Sequence, residues 1–328
     1  MGSVGIQRIE RAEYLRLAEC GQVPLYGQPY WLEAAAGNAD AIRYYAAHKG
    51  ESLIALMPCF VPVNGVWLLP PCCQSGVLYF VTTDFKDRRR ATELLLEEMS
   101  KMHCVRIALS PEYTDALPFY WRGFTLKARY NYLLSIPSAP EAYEAQVSRI
   151  VKRKARESEA AGCSVHFDVP FDSLKGIFKP FYAQKGIPAL YYEAMCRCAE
   201  ASLARGCGLT ASLNAADGSL LAAYYIALDA KSGYSIATAT RHGNSFANTA
   251  LLYEIIKELA RRGIRTFDFE GSMLEGVEPV FRSLGGTQHI YISLEKGRLG
   301  LRERFRLKRY YQRAFAHQTK EKPTNCKP

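Results

Sequence analysis

The chain has 328 residues, 48% of them apolar and 23% charged, the balance of a soluble globular protein long enough for two cores. No run of about 18 apolar residues occurs, and Leu53 to Pro71, the most apolar region, is cut by Pro58, Pro62, Asn64 and Pro70, so no membrane-spanning helix is expected. The net charge of +10 is concentrated: eleven Lys and Arg residues lie between Lys296 and Lys327 against only Glu303 and Glu321. A second basic run spans Arg149 to Arg156. Both suit a polyanionic partner, or else a solvated helix face.

Met1 to Glu19 mixes acids and bases and is not expected to act as a secretory leader. The ten cysteines include no C-x-x-C and no zinc-finger spacing. Buried reduced thiols in a cytoplasmic protein are therefore expected, with no metal site.

In chain order, Ala41–Lys49 and Ser52–Val61 are predicted strands around a Gly50 turn, with short strands at Val66–Leu69 and Val77–Val81. Arg88–Met102 carries Leu94, Leu95 and Met99 at helical spacing. A strand at Val105–Leu109, a turn through Gly123 and a strand at Ala128–Ile136 close this first block. A basic helix follows between Pro137 and Gly162, then helices at Phe171–Lys185 and Ala189–Arg205.

The second block repeats the order. Gly208–Asn214 and Ser219–Asp229 flank the hairpin turn Asp217-Gly218, and Gly233–Thr240 is the next strand. Phe246–Arg262 is a helix with Leu251, Leu252, Ile255, Ile256 and Leu259 in one stripe, ended by Gly263. Arg265–Glu270 is a strand, Val280–Gly286 a helical turn and Gln288–Leu294 the last strand. The alternation, with hairpins, predicts an α/β fold with a mixed sheet. No G-x-G-x-x-G and no P-loop occurs.

Several short motifs stand in a definite order. They are Pro29-Tyr30-Trp31, Ala55-Leu56-Met57-Pro58, Leu69 to Gly76, Arg129-Tyr130-Asn131-Tyr132, Asp268-Phe269-Glu270-Gly271-Ser272 and Phe281-Arg282-x-x-Gly285-Gly286. With the repeated strand–helix order, the chain resembles the GNAT-fold acyltransferases, and in particular the Fem-type group with two tandem GNAT-like domains. Those are aminoacyl-tRNA-dependent transferases of cell-wall peptide assembly and their relatives. The resemblance implies an N-terminal GNAT-like domain over 1–137 and a basic helical linker over 138–165. A C-terminal GNAT-like domain over 166–296 and a basic helix and tail over 297–328 complete it. Two departures are visible. The phosphate-binding pattern of acetyl-CoA enzymes, Gln/Arg-x-x-Gly-x-Gly/Ala, is replaced by Arg241-His242-Gly243-Asn244-Ser245-Phe246-Ala247-Asn248, with one glycine out of register. Phe281-Arg282 stands where the Fem-type group has Phe-Lys.

Transfer to an amine needs a base, a polarised carbonyl and a held leaving group. Asp268 and Glu270, two apart on a strand, are expected on one face, where their charges raise a carboxyl pKa and suit Glu270 to be the general base. Arg282 is expected to stabilise developing negative charge or hold a substrate phosphate, and one of Tyr224, Tyr225 and Tyr234 to act as an acid; the competing reading has one of the acids capping a helix or pairing with Arg241 or Arg282, and the tyrosines in the core. Arg241, Asn244, Ser245, Asn248 and Thr249 surround a helix start whose free N–H groups suit a donor's phosphates, or are simply capped. No tightly bound cofactor is expected; acyl-CoA and aminoacyl-tRNA remain alternative co-substrates.

The expected function is therefore transfer of an acyl or aminoacyl group to an amine on a cell-wall or surface-glycan precursor or a small molecule. The alternative is a non-catalytic GNAT-like binding module for an anionic ligand, nucleic acid or membrane surface, which would show a filled cleft around Glu270 with no channel to the Asn244–Thr249 helix start. A role in modifying a surface polysaccharide or lipid is a third reading. The basic tail suits tRNA or the anionic inner face of a membrane; DNA is not expected.

Overall fold

The computed structural model describes residues 3–20, 23–241, 243–271, 273 and 275–315. His242, Ser272 and the tail bases Lys320, Lys322 and Lys327 lie outside the described residues. Among the described residues, one sheet of 13 strands runs through both halves. Its first-half strands are β1 (Val4–Ile9), β2 (Ile42–Lys49), β3 (Ser52–Val63), β4 (Val66–Leu68), β5 (Tyr79–Phe80), β6 (Cys104–Ala108) and β7 (Thr125–Ser135). The remainder are β8 (Ser164–Phe167), β9 (Gly208–Asn214), β10 (Leu220–Leu228), β11 (Ser232–Thr240), β12 (Thr266–Asp268) and β13 (Thr287–Gly297).

The strand order, β1-β2-β3-β4-β6-β13-β7-β12-β11-β10-β9-β8, has an internal symmetry. In each half an antiparallel run leads to one parallel pair, β4 with β6 and β11 with β12. The closing strands are exchanged. Sequence order suggests that β7 completes the first block and β13 the second. Instead β13 pairs β6 antiparallel (Ser293↔Ala108), and β7 pairs β12 (Phe267↔Leu134). The two exchanged strands then pair with each other from Thr287↔Leu133 to Glu295↔Thr125 and form the seam of the sheet.

Helices cover both faces of β3 and β10, which is why these two strands read as nearly unbroken apolar runs, whereas β7 and β13 at the seam are largely exposed. Ala222, Tyr224 and Ile226 of β10 face α9 (Ala247–Arg261), whereas Ala223, Tyr225 and Ala227 face α7 (Phe171–Gln184) and α8 (Ala189–Leu203). In the first half, α3 (Phe85–Ser100) packs on Met57, Cys59 and Val105. Helices α1 (Arg11–Cys20) and α2 (Pro29–Ala36) cover Tyr44, Leu56 and Phe60 on the opposite face. The short helices α4 (Leu117–Trp121), α5 (Pro140–Gln146) and α10 (Glu278–Ser283) make connections. The basic helix α6 (Arg149–Ala160) packs on α9, and α11 (Leu301–Ala314) follows β13.

The halves are also joined by helix packing. Trp31 of α2 is fully buried beside Met195, Cys198 and Ala199 of α8, and its indole N–H donates to the Cys72 carbonyl at 3.2 Å. Helix α9 forms where predicted, because its apolar residues recur at 3.6-residue spacing. It stops at Gly263, whose φ of +80° lets Ile264 N–H return to the Leu259 carbonyl. No helix is long and apolar enough to cross a membrane among the described residues.

Candidate active site

Strand β12 sorts its side chains by alternation. Phe267 and Phe269 turn toward α9 and stack edge to face at 4.9 Å, and Phe269 also meets Phe281 at 4.7 Å. Asp268 turns to the other face. The strand ends there, because Glu270 and Gly271 both adopt left-handed conformations, with φ of +63° and +65°. Asp268 Oδ1 accepts the Glu270 N–H at 2.7 Å and holds this turn. A glycine is required next. A Cβ on Gly271 would come within 2.4 Å of Gln74 Nε2 and 2.7 Å of the Tyr130 carbonyl. The two acids thus share a face as expected, but through a tight turn rather than a continuing strand.

Asp268 is 8% exposed and accepts Asn131 Nδ2 at 2.9 Å, while Asn131 Oδ1 accepts the Tyr132 N–H at 2.7 Å. Burial pushes the Asp268 carboxyl up to about 6, against the pull of its two donors. Glu270 accepts a hydrogen bond from the Tyr26 hydroxyl, on a one-turn 3-10 helix over Leu25–Gly27. Desolvation first, and then the Asp268 charge, hold Glu270 well above the usual carboxylate range; the Tyr26 bond opposes both. Tyr26 lies edge-on to Tyr234 at 5.5 Å and to Trp31 at 6.3 Å.

Glu270 is half-buried at one end of a cleft of about 310 Å³. The Cys72-Cys73-Gln74 loop of the first half forms one wall, and Tyr182, Tyr191 and Met195 of α7 and α8 form another. The site therefore lies where the two halves meet. Sequence reasoning overlooked Tyr26, Asn131 and Gln74 as site residues. Asn131 and Gln74 belong to motifs noted above, but nothing local assigns them a partner more than a hundred residues away.

Other expected residues lie elsewhere. Tyr225 is fully buried, with its hydroxyl 2.5 Å from the Ser202 hydroxyl of α8, so it is a core residue with no route to a substrate. Arg282 bonds Glu278 across one turn of α10 and lies over the Tyr132 ring at 5.5 Å. Tyr132 packs with Phe267 and Phe269, so Arg282 sits on the face of the sheet opposite Glu270. Arg241 is exposed and lines a groove with Ile177, Pro180 and Phe181 of α7, away from the helix start it was expected to serve.

The remaining expected residues gather at the α9 start. Phe246 takes the N-cap position without a side-chain cap, and neither Asn244 nor Ser245 makes a hydrogen bond among the described residues. Asn248 Oδ1 accepts the Tyr224 and Thr238 hydroxyls at 2.7 and 3.0 Å, which ties the helix to the sheet. Thr249 is buried, and its hydroxyl accepts Lys154 Nζ at 3.4 Å. A base from the mid-chain run thus reaches the positive end of the α9 dipole. Strands β11 and β12 pair only over Ser232–Tyr234 and Thr266–Asp268, although β11 continues to Thr240. Among the described residues, β11 therefore has no partner on the β12 side beyond Tyr234, next to the α9 start.

This mixed sheet, with its covering helices, has the GNAT-like architecture. Residues 145–279 match the family model described as an acetyltransferase (GNAT) domain. No curated protein matches the sequence. Among solved structures, the chain is similar to FemX, with a TM-score of 0.65 and 13% identity over 88% of this chain and 96% of that one. It is similar to L-PGS from Bacillus licheniformis, with a TM-score of 0.58 and 9% identity over 94% and 98% of the two chains. It also resembles a tandem GNAT protein from the clavulanic acid biosynthesis pathway, with a TM-score of 0.51 and 11% identity over 91% and 100%.

Proposed function

We propose that the protein is an acyl or aminoacyl transferase that acts on an amine, with Glu270 as its general base. The observation that carries this reading is the carboxyl pair in an open cleft: Glu270 is desolvated, crowded by Asp268 and oriented by Tyr26. The match of residues 145–279 to an acetyltransferase domain supports the reaction class. A non-catalytic binding module was expected to show a filled cleft, whereas about 310 Å³ is open beside Glu270.

In the proposed reaction a neutral amine attacks the acyl carbon. Its N–H proton passes to the Glu270 carboxylate as the N–C bond forms. The C–S or C–O bond to the donor then breaks, and Glu270 returns the proton to the departing thiolate or ribose oxygen. A base with a raised pKa suits this task, because it accepts a proton more readily than an ordinary carboxylate. Asp268 acts through Glu270: it holds the turn and raises the basicity of its neighbour. We place the anionic part of the donor at the uncapped α9 start near Lys154, with the acyl arm crossing the unpaired stretch between β11 and β12. Acyl-CoA and aminoacyl-tRNA both carry phosphates that suit that position.

The test is a transfer assay with acetyl-CoA, longer acyl-CoAs and aminoacyl-tRNA against a panel of amines. Turnover with one donor class, lowered about 100-fold or more by Glu270→Gln, supports the reading. Turnover within a few-fold of wild type in Glu270→Gln excludes Glu270 as the base.

A further inference from the structure

A larger cavity, of about 790 Å³, lies away from the Glu270 cleft and shares no lining residue with it. It opens between α11, the end of β3 and the turn after α2. Four arginines line it, Arg197, Arg306, Arg309 and Arg313, and the Arg309 guanidinium also lies over the neighbouring Phe305 ring at 5.7 Å. None of the four forms an ion pair with the described residues. Two neighbouring acids have other partners: Glu33 pairs with Arg11 and Tyr44, and Glu303 lies 3.7 Å from His103.

The wall behind these groups is firmly built. Arg197 Nη1 donates to the Ala314 carbonyl at 2.6 Å, and its guanidinium lies over the Phe315 ring at 5.2 Å. The Tyr310 hydroxyl donates to the Ala36 carbonyl at 2.8 Å and fixes α11 to the end of α2. Gly37 then leaves α2 with a φ of +74°, and a Cβ there would stand 2.8 Å from Arg197 Nη1. Like charges turned into one concave space repel one another until an anion enters. Guanidinium groups bind phosphate oxygens in paired hydrogen bonds, and an open concavity of this volume has room for a small ligand.

We infer that this cavity is a second binding site, for a small ligand carrying a diphosphate or polyphosphate group. Arg306, Arg309 and Arg313 grip the phosphates, and Arg197 sets the inner wall. The inference does not depend on the transferase reading or on Glu270.

The test is calorimetric titration of the full-length protein with inorganic pyrophosphate. Saturable binding is expected, weakened at least tenfold in Arg309→Gln/Arg313→Gln. It should stay within about twofold in Arg302→Gln/Lys308→Gln, which removes the same charge from α11 outside the cavity. The exchanged side chains are exposed, so melting temperatures should be unchanged. Absence of saturable pyrophosphate binding overturns the inference. So does equal weakening in both double variants, which would mean diffuse attraction. Binding of an RNA hairpin, or of phosphatidylglycerol vesicles, that saturating pyrophosphate does not displace also overturns it, in favour of a polyanion-binding surface.

Discussion

The Glu270 N–H donates to the Asp268 carboxylate, which is buried, while the Glu270 side chain borders the open cleft. Raising Asp268 from its ordinary range to about 6 means that its ionised form costs the fold about 3 kcal/mol. The folded state then binds the proton more tightly than the unfolded chain. Its stabilising contribution is full below about pH 4 and is lost as pH rises through about 6. Asp268→Asn should flatten that decline, leaving only the part of the same sign due to Glu270, as read by urea melts from pH 4.5 to 7. Tyr26→Phe makes a complementary prediction. Removing the donor to Glu270 raises its pKa further, so the acid limb of the pH–kcat profile should move to higher pH with the fold intact. Tyr26 was not legible in the sequence, because a one-turn helix at Leu25–Gly27 has no periodicity to read. The Asp268-Phe269-Glu270 spacing was legible, but strand alternation did not foresee the left-handed turn that sets Glu270 beside Asp268. Arg282 was misplaced because its position on α10, not its distance along the chain, decides which face it serves.

The element that shapes the cleft most is the α2–α8 seam. Trp31→Ala should cost about 3–5 kcal/mol, since it empties a fully buried site. It should also impair turnover beyond the loss of folded protein, because the Trp31 indole anchors the Cys72 carbonyl at the cleft wall. Kinetics on the folded fraction at low temperature would separate the two effects. At the other functional end, Asn248→Ala strips a shared acceptor from two hydroxyls and leaves Tyr224 buried without it. A loss of about 1–3 kcal/mol in thermal or urea unfolding is expected. Helix α9 itself was legible, since Leu251 to Leu259 repeat at helical spacing. Its start was legible to within a residue, but its cap was not, because Asn244 and Ser245 look like caps in sequence whereas Phe246 takes that place. A capping residue is recognised by its composition, but used only if the backbone turn presents it.

At the scale of the molecule, hydrophobic alternation showed most of the strands but not their partners. Register and neighbour depend on contacts made far along the chain, and β7 and β13 carry no local mark that they change halves. Yet those two strands decide whether either half can stand alone. A fragment of residues 1–137 lacks β13 between β6 and β7 and should show no cooperative thermal transition. Adding residues 138–328 as a separate chain should restore one, followed by circular dichroism of each fragment and of their mixture.

The same exchange has a consequence for birth on the ribosome. When β7 emerges, neither of its neighbours in the sheet exists yet, and the first of them, β12, is made only after about 130 more residues. At ordinary translation rates that gap lasts roughly 7 to 26 seconds. Throughout it, the nascent first half presents an unpaired strand edge, apolar toward its Tyr132–Leu134 end, the kind of surface that recruits another chain. Slow elongation between Ser135 and Thr266 should therefore increase aggregation rather than relieve it, and a chaperone that shields the edge of β7 until the C-terminal strands arrive should raise the yield of folded protein.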